Sequence, residues 1–317
     1  MVSDPTDHAF LSTYHVQLTT DPAAFLAVAR AHLAADPVVT TVIATVTRRH
    51  LDERVAGLPP PVDRPQWWAV VRGAGGEIAG LAMRTARTPP HPVFVLPMAH
   101  GAAIALARAV HARGEVIGGL NGSLPAAEVC AAELARLQGD VVEVALHTRL
   151  FELGELVQPR SVPGRLRAAT LDDLDLARDW LDRFLYDADV QAGRVPETLG
   201  DESVEPEHLR RRIESGKYWF WLDETGERVH LTGANPPEFG VTRIGPVYTP
   251  AQQRRKGYAS AAVAAVSRLF LDAGARVCLY TDQANPTSNG IYQAIGYRPV
   301  VDQVNLKIAG GATGLDS

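Results

Sequence analysis

The sequence has few cysteines and no long hydrophobic run. Only Cys130 and Cys278 occur among 317 residues, which is too few for a disulfide framework, and no cysteine or histidine pair has zinc-ligand spacing. We therefore expect no metal. No stretch reaches the roughly 18 apolar residues that span a bilayer, and the N-terminus lacks the positive start and apolar core of a signal peptide. These absences predict a cytoplasmic protein without a membrane partner.

Positive charge is not in excess. Lys+Arg number 31 and Asp+Glu number 36, which gives a formal net charge of −5. A basic field that would attract nucleic acid is therefore missing, and we expect no such partner. Hydrophobic residues make up 46% and charged residues 21% of the chain, which is typical of a globular protein. At roughly 150 residues per domain, the length predicts two domains.

The order of predicted elements repeats in two halves. Residues 158–164, with two prolines and a glycine, have no apolar periodicity and separate the halves. Each half opens with a short strand and a capped helix, continues with a hairpin, and ends with alternating strands and helices. The sequence therefore predicts an α+β protein with a duplicated domain, divided into residues 1–157 and 165–317.

The patterns in the first half predict individual strands and helices. They indicate hairpin strands at 67–72 and 78–84, further strands at 94–96, 116–119 and 141–150, and helices at 102–113 and 125–137.

The residues that suggest chemistry are concentrated between positions 241 and 298. A strand predicted up to Tyr248 is interrupted by Gly245-Pro246, and a proline inside a strand breaks the ladder. Three cations and a glycine follow at residues 254–257, directly before a helix with one apolar face. Unpaired N–H groups at a helix start, the helix dipole and a residue without a Cβ together favour phosphate binding. A solvated basic turn is the alternative interpretation.

A second group of residues lies on the next predicted helix. Asn285 is a suitable N-cap, Pro286 a suitable first residue, and Gly296 a suitable terminator. Ile291 and Ile295 fall on one face, and Tyr292 lies between them. A tyrosine in this position is by default a core aromatic.

Taken together, these two groups resemble motifs of the GNAT acyl-CoA N-acetyltransferases. The pyrophosphate motif of that family, Arg/Gln-x-x-Gly-x-Gly/Ala, matches Arg254, Gly257 and Ala259. The second motif, Asn-x-x-Ser followed by Tyr-x-x-x-Gly-Tyr/Phe, matches Asn285, Ser288, Tyr292, Gly296 and Tyr297. The resemblance covers residues 165–308, and Arg255 departs from it by standing where glycine is frequent. It implies the GNAT fold, with two GNAT-like domains and mixed central sheets.

The resemblance also implies a reaction: direct transfer of an acetyl group from acetyl-CoA to a primary amine of a small molecule. By similarity, the backbone of Val247 and Tyr248 holds the pantetheine arm and the thioester carbonyl, and Asn285 and Ser288 border the pantetheine. The pyrophosphate is held by Arg254, Arg255, Lys256, Gly257, Tyr258 and Ala259. Tyr292 is the catalytic candidate, because a phenol with a pKa of about 10 stays protonated at neutral pH and can protonate a leaving thiolate.

The first half lacks both motifs. At the position of the phosphate loop the chain has residues 97–101, Pro-Met-Ala-His-Gly, without Arg or Lys, and the helix predicted at 125–137 contains no tyrosine. We interpret residues 1–157 as a degenerate GNAT-like domain that packs on the other half and walls its acceptor cleft.

Three functions remain open from the sequence. They are acetylation of a small amine, transfer of a longer acyl group or acetylation of a peptide or protein amine, and non-catalytic sensing of acyl-CoA. A complete phosphate loop together with Tyr292 favours an enzyme. Glu238 and Asp282 are both candidates for the general base. Neither the acceptor nor the oligomeric state follows from the sequence.

Overall fold

The computed structural model describes residues 14–60, 62, 64–87, 89–191 and 206–310, and within these ranges the chain forms twelve strands and eight α-helices. It divides into two compact units. The first contains the residues up to Thr148 and those from Val301 onward, and the second is Arg149–Val300. Among the described residues, 301–310 thus belong to the first unit, whereas the sequence predicted domains at 1–157 and 165–317.

The first unit begins with a strand, two helices and the predicted hairpin. These elements are β1 (His15–Thr19), α1 (Pro22–Ala35), α2 (Thr41–Val55), β2 (Trp67–Arg72) and β3 (Ile78–Arg84). They are followed by β4 (Val93–Val95), α3 (His100–His111), β5 (Gly119–Ser123), α4 (Ala126–Gln138) and β6 (Asp140–Leu153). The last strand of the chain, β12 (Tyr297–Gly310), completes the order β1-β2-β3-β4-β5-β12. Strands β4 and β5 are parallel, whereas β1 with β2, β2 with β3, β3 with β4, and β5 with β12 pair antiparallel.

The second unit repeats this order of elements. It contains β7 (Arg165–Ala168), α5 (Leu174–Gln191), α6 (Pro206–Glu214), β8 (Tyr218–Leu222), β9 (Arg228–Ala234) and β10 (Val241–Tyr248). Then come α7 (Tyr258–Asp272), β11 (Arg276–Asp282) and α8 (Pro286–Ala294). The strand order is β11-β10-β9-β8-β7, with β10 and β11 parallel and the other pairs antiparallel. The α+β class and the duplicated order are therefore confirmed.

Helices cover both faces of the sheet in the second unit. On one face, Ile244, Val277 and Leu279 pack in a core with Val263 and Val266 of α7. On the other face, side chains of β8 and β9 pack with α5 and α6, through Trp180, Leu209, Ile213, Tyr218, Phe220 and Leu231. Because side chains alternate along a strand, neighbouring residues of β10 belong to different layers.

Each unit uses a strand from the far part of the sequence. Strand β12 pairs antiparallel with β5 over Gln303–Lys307, and Val304, Leu306 and Ile308 are buried in the core of the first unit. The end of β6 places Phe151 and Leu153 in the core of the second unit. Burial of such apolar side chains stabilises by roughly 1.5–3 kcal/mol each, which favours these placements of β12 and of the end of β6.

One predicted strand of the first unit is shifted. The apolar run at 116–119 was expected to form it, but β5 begins only at Gly119, and Val116 is 73% exposed. The side chain of Gln138 holds the preceding backbone instead: its Oε1 accepts from the Ile117 amide at 2.8 Å, and its Nε2 donates to the Ile117 carbonyl at 3.1 Å. A side chain thus replaces the ladder at these residues.

Candidate active site

The two central strands of the second unit separate at their carboxyl ends. Strands β10 and β11 are paired in parallel as far as Ile244 and Leu279, and the register of β10 against β9 shifts between Ile244 and Val247. The intervening Gly245-Pro246 cannot continue a regular ladder, because proline has no N–H. The predicted interruption is confirmed, and it leaves one edge of β10 open beyond Ile244.

A cavity of about 650 Å³ lies at this opening. Nearly all of the residues predicted for the site line it: Val247, Tyr248, Arg254, Arg255, Gly257, Tyr258, Ala259, Asn285, Ser288 and Tyr292. Lys256 does not line it. Its Nζ donates to Gln253 Oε1 at 2.7 Å, and the residue borders a neighbouring cavity of about 470 Å³ together with Arg160 and Val162.

The loop before α7 presents backbone N–H groups. Arg255 and Gly257 have left-handed backbones, with φ of +62° and +88°, and Gly257 is the N-cap of α7 without a side-chain cap. In the described chain, the amides of Arg255, Lys256 and Gly257 form no backbone hydrogen bond, and the first N–H groups of a helix have no intrahelical acceptor. Such groups, together with the helix dipole, are suited to bind an anion.

Gly257 is also required by packing. A Cβ at this position would lie 2.7 Å from Cγ1 of Val162, which belongs to the segment that was predicted to separate the halves. Real Cβ atoms are essentially never found at such distances, so with a larger residue either the Val162 side chain or the loop would have to shift.

Arg254 fastens the loop to α5. Its Nε donates to the Thr249 carbonyl at 3.0 Å and its Nη2 to Asp187 Oδ2 at 2.5 Å. The Tyr248 hydroxyl donates to the same carboxylate oxygen at 2.9 Å. Burial, followed by Asp187, raises the pKa of Tyr248 to about 12. Sequence reasoning missed Asp187, because it is one of several acidic residues on α5 and no motif marks it.

Tyr292 is a buried phenol at the cavity. Its side chain is 7% exposed, packs in the core beside α7, and contacts Tyr297 edge-on with ring centroids 6.0 Å apart. Its position follows from the start of α8, where Asn285 Oδ1 accepts from the Ser288 amide at 3.0 Å. No described residue hydrogen-bonds its hydroxyl. Burial raises the pKa of Tyr292 well above its usual value, so the phenol remains a proton donor.

A buried histidine contacts the residue that follows strand β10. His230 is fully buried, with Nδ1 2.7 Å from Thr249 Oγ1 and Nε2 2.7 Å from Thr232 Oγ1. Burial lowers the pKa of His230 to about 3, so the ring is neutral. It holds Thr249, whose carbonyl in turn accepts from Arg254.

Neither candidate for the general base is among the residues that line the cavity. Asp282 Oδ1 accepts from the Ala284 amide at 2.8 Å. Glu238 lies before the other end of β10, where its amide donates to the Val241 carbonyl at 3.0 Å.

The equivalent helix start in the first unit is different. Helix α3 begins at His100, and a Cβ on Gly101 would lie 2.8 Å from Cε2 of Tyr14. An aromatic ring therefore packs against the first turn of α3, where the second unit presents its loop. The sequence of α4 contains no tyrosine.

Two further properties concern the described residues as a whole. They include no helix that is both long enough and apolar enough to cross a membrane. They also include no cluster of three or more histidine, cysteine, aspartate or glutamate residues suited to hold a metal ion.

Comparison with known proteins gives the same fold. The family model described as FR47-like protein matches residues 237–305. A GCN5-related N-acetyltransferase from Sphaerobacter thermophilus is 14% identical, with 93% of this chain and 95% of that chain covered and a TM-score of 0.55. A Drosophila protein is 13% identical, with 93% and 98% covered and a TM-score of 0.64. No curated protein matches the sequence significantly.

These likenesses extend over both halves of the chain, and the family match spans β10 to β12, including the loop and Tyr292. The predicted resemblance is thereby confirmed: the chain has the fold of the GCN5-related N-acetyltransferases, the GNAT family of acyl-CoA-dependent acyltransferases.

Proposed function

We propose that this protein moves an acetyl group from acetyl-CoA to a primary amine of a small molecule by direct attack of the amine on the thioester. One observation carries the proposal: a single cavity is lined both by the N–H-rich start of α7 and by Tyr292, whose hydroxyl has no partner in the described chain. The first feature suits an anionic cosubstrate, and the second suits a leaving group that needs a proton.

The residues present fit an acyl-CoA. Its pyrophosphate would lie at the amides before and within the first turn of α7, where Gly257 permits close approach. Its pantetheine arm would lie along the edge of β10 beyond Ile244 that β11 leaves open, beside Asn285 and Ser288. When bound, the cosubstrate supplies an activated thioester.

The backbone and the side chains around the cavity then have separate roles. The backbone at Val247 and Tyr248 orients the carbonyl, and Arg254, Asp187 and Tyr248 hold the loop and α5 together. Tyr292 holds the proton that neutralises the sulfur as charge develops on it. Its raised pKa keeps the phenol protonated throughout the neutral range.

A thiol-release assay with acetyl-CoA and a panel of small primary amines tests the proposal. We expect thiol release that requires an amine and that is slower with a longer acyl-CoA. Tight binding of CoA without amine-dependent release would instead identify a sensor. Faster turnover with a longer acyl group, or with a peptide amine, would reassign the donor or the acceptor.

The difference between the two units predicts the number of CoA molecules bound per chain. We expect one CoA per chain, because the loop before α7 has cations and exposed amides, whereas Tyr14 packs on the start of α3 and residues 97–101 contain no Arg or Lys. Titration calorimetry measures this directly, and two equivalent sites per chain would contradict it.

A further inference from the structure

Arg243 on β10 has a charge that the structure leaves uncompensated. Its Nη1 is shielded from solvent and has no hydrogen-bond partner, and no described carboxylate forms an ion pair with it. Burial lowers the pKa of Arg243, and Arg212 adds to that effect, while Tyr280 and Cys278 oppose it. A partly buried cation without a described counter-charge is costly, so its presence requires an explanation.

Other buried charges among the described residues are paired. Arg84, which is 6% exposed, contacts Glu115 at 2.9 Å, and the buried Asp173 is held by two arginines at 2.9 Å each. Two more arginines have an unbonded buried nitrogen, but both form ion pairs with Glu53. These pairings distinguish the partly buried Arg243 from the buried or partly buried arginines named above.

A second guanidinium lies nearby with only neutral partners. Arg212, in the last turn of α6, donates from Nε to the Tyr218 hydroxyl at 3.1 Å and from Nη1 to Asn235 Oδ1 at 3.5 Å. The Asn235 amide donates to the Arg243 carbonyl at 3.0 Å, which places the asparagine beside Arg243. Two cations, an amide and a phenol therefore lie close together, without a described acid.

These groups lie beside the cavity without lining it. Ile244 packs towards α7, so the alternation of the strand directs Arg243 towards the face of α5 and α6. Arg243 is two residues, roughly 7 Å, before Gly245, where the central strands separate. Tyr248 packs on the α5 face as well and lines the cavity.

We propose that the acceptor amine carries a carboxylate, which Arg243 and Arg212 bind while the amine is directed into the cavity. This inference rests on the proposed acetyl transfer. A carboxylate matches the planar fork of a guanidinium, and its single negative charge would compensate Arg243, for which the described residues supply no counter-charge.

The test compares amino acids with their own carboxamides as ligands. Calorimetry on the CoA-saturated full chain would use a panel of α- and ω-amino acids, each paired with its amide. We expect at least one acid to bind about tenfold or more tightly than its amide, as for a charge-assisted contact. In Arg243→Met the two members of that pair should bind within about twofold of each other.

Two further variants complete the design. Arg212→Met should reduce the preference, whereas Arg211→Met, an exposed neighbour on α6 whose Nε donates to the Glu207 carbonyl, should keep it. Arg243→Met should melt no lower than the wild type without ligand, because it removes a partly buried charge that has no described counter-charge.

Several results would overturn the inference. They are equal binding of acids and amides by the wild type, a preference that persists in both Arg243→Met and Arg212→Met, or tighter binding of O-phosphoethanolamine than of any acid. Fast acetylation of the amides would leave acetyl transfer standing without the carboxylate. Selective binding of acids without thiol release would instead refute acetyl transfer.

Discussion

At the scale of single residues, Tyr292 combines burial with a hydroxyl that no described group engages. Phenylalanine keeps the ring and its contact with Tyr297 and removes only the proton donor. We therefore expect Tyr292→Phe to leave CoA affinity and melting temperature nearly unchanged and to lower turnover by about 10²–10⁴, the usual range for general-acid catalysis. Steady-state kinetics with the best acceptor measures this.

Tyr297 is the matched control. It is equally buried, but its hydroxyl lies 2.8 Å from Ser267 Oγ, and the residue does not line the cavity. Tyr297→Phe should cost about 1 kcal/mol of stability for the lost hydrogen bond and leave turnover unchanged. If both variants were fully active, Tyr292 would be an ordinary core aromatic.

His230 makes stability depend on pH. Its folded pKa of about 3 lies below the usual value of 6.5, so the unfolded chain takes up the proton first. The stabilisation is complete above pH 6.5 and is lost as the pH falls towards 3. Between pH 7.5 and 5 the wild type should lose about 2 kcal/mol through this residue.

Urea unfolding at several pH values measures that loss. In His230→Gln, where an amide can bridge the same two threonines, the fall in unfolding free energy over this range should be smaller by about 2 kcal/mol. Other groups titrate alike in both proteins and cancel. Parallel pH profiles would mean that His230 is protonated in the folded state.

The sequence predicts some residues of the site better than others. Gly257, Asn285 and Tyr292 were found because their roles depend on backbone conformation and on fixed spacing within one helix. Asp187 and Arg243 were not, because a charged residue on a helix or strand has no local signal of its function. Their significance comes from partners that are distant in sequence, or from the lack of one.

At the scale of elements, α7 has a left-handed glycine at each end. Gly257 precedes it with φ of +88°, and Gly274 follows it with φ of +81°. A Cβ would lie 2.7 Å from Val162 at the first position and would meet nothing within 4 Å at the second. Both Gly→Ala variants should lose about 1–2 kcal/mol of stability from backbone strain.

Only one of the two should affect the cosubstrate. Gly257→Ala is expected to weaken CoA by about tenfold or more, because a loop that moves by a fraction of an ångström misplaces the amides, whereas Gly274→Ala should bind normally. Calorimetry with both variants separates the two effects. Equal CoA affinity in the pair would show that the anion site does not depend on the packing of Gly257.

Two helices escaped prediction for identifiable reasons. Helix α2 is rich in β-branched residues, which favour strands, and its buried face includes Thr47 and His50, which bond to Trp68 and Gln66. Helix α6 has only nine residues and a short apolar face made of Leu209 and Ile213. Polar residues in the buried face therefore obscured the hydrophobic periodicity of α2. Helix α6 was too short to show such a periodicity.

At the scale of the whole molecule, the sequence indicates that β12 is a strand but not which sheet receives it. Alternation of Val304, Leu306 and Ile308 defines one buried face, and either half could in principle bury it. The choice depends on long-range packing against β5, whose position along the chain was itself shifted from the prediction. Local sequence patterns therefore predicted the duplicated order of elements. Tertiary contacts determined which sheet each strand joins.

The pairing of β12 with β5 predicts that residues of β12 stabilise the first unit. Leu306 is 3% exposed in the core of the first unit, although it lies only eleven positions before the last residue of the sequence. Leu306→Ala should therefore cost about 2–5 kcal/mol and weaken hydrogen-exchange protection in β5, its partner strand. Lys307→Ala, at the exposed adjacent position, should change stability by less than about 0.5 kcal/mol.

The reciprocal variant tests the other strand. Phe151 lies in the first half of the sequence but is buried in the core of the second unit, so Phe151→Ala should cost about 3–5 kcal/mol and weaken protection first in β11. Exchange measured by mass spectrometry resolves the two regions. Suppose that Leu306→Ala instead loosened β11 and that Phe151→Ala loosened β5. Each strand would then complete the sheet of its own half of the sequence, and the assignment of β12 to the first unit and of the end of β6 to the second would be wrong.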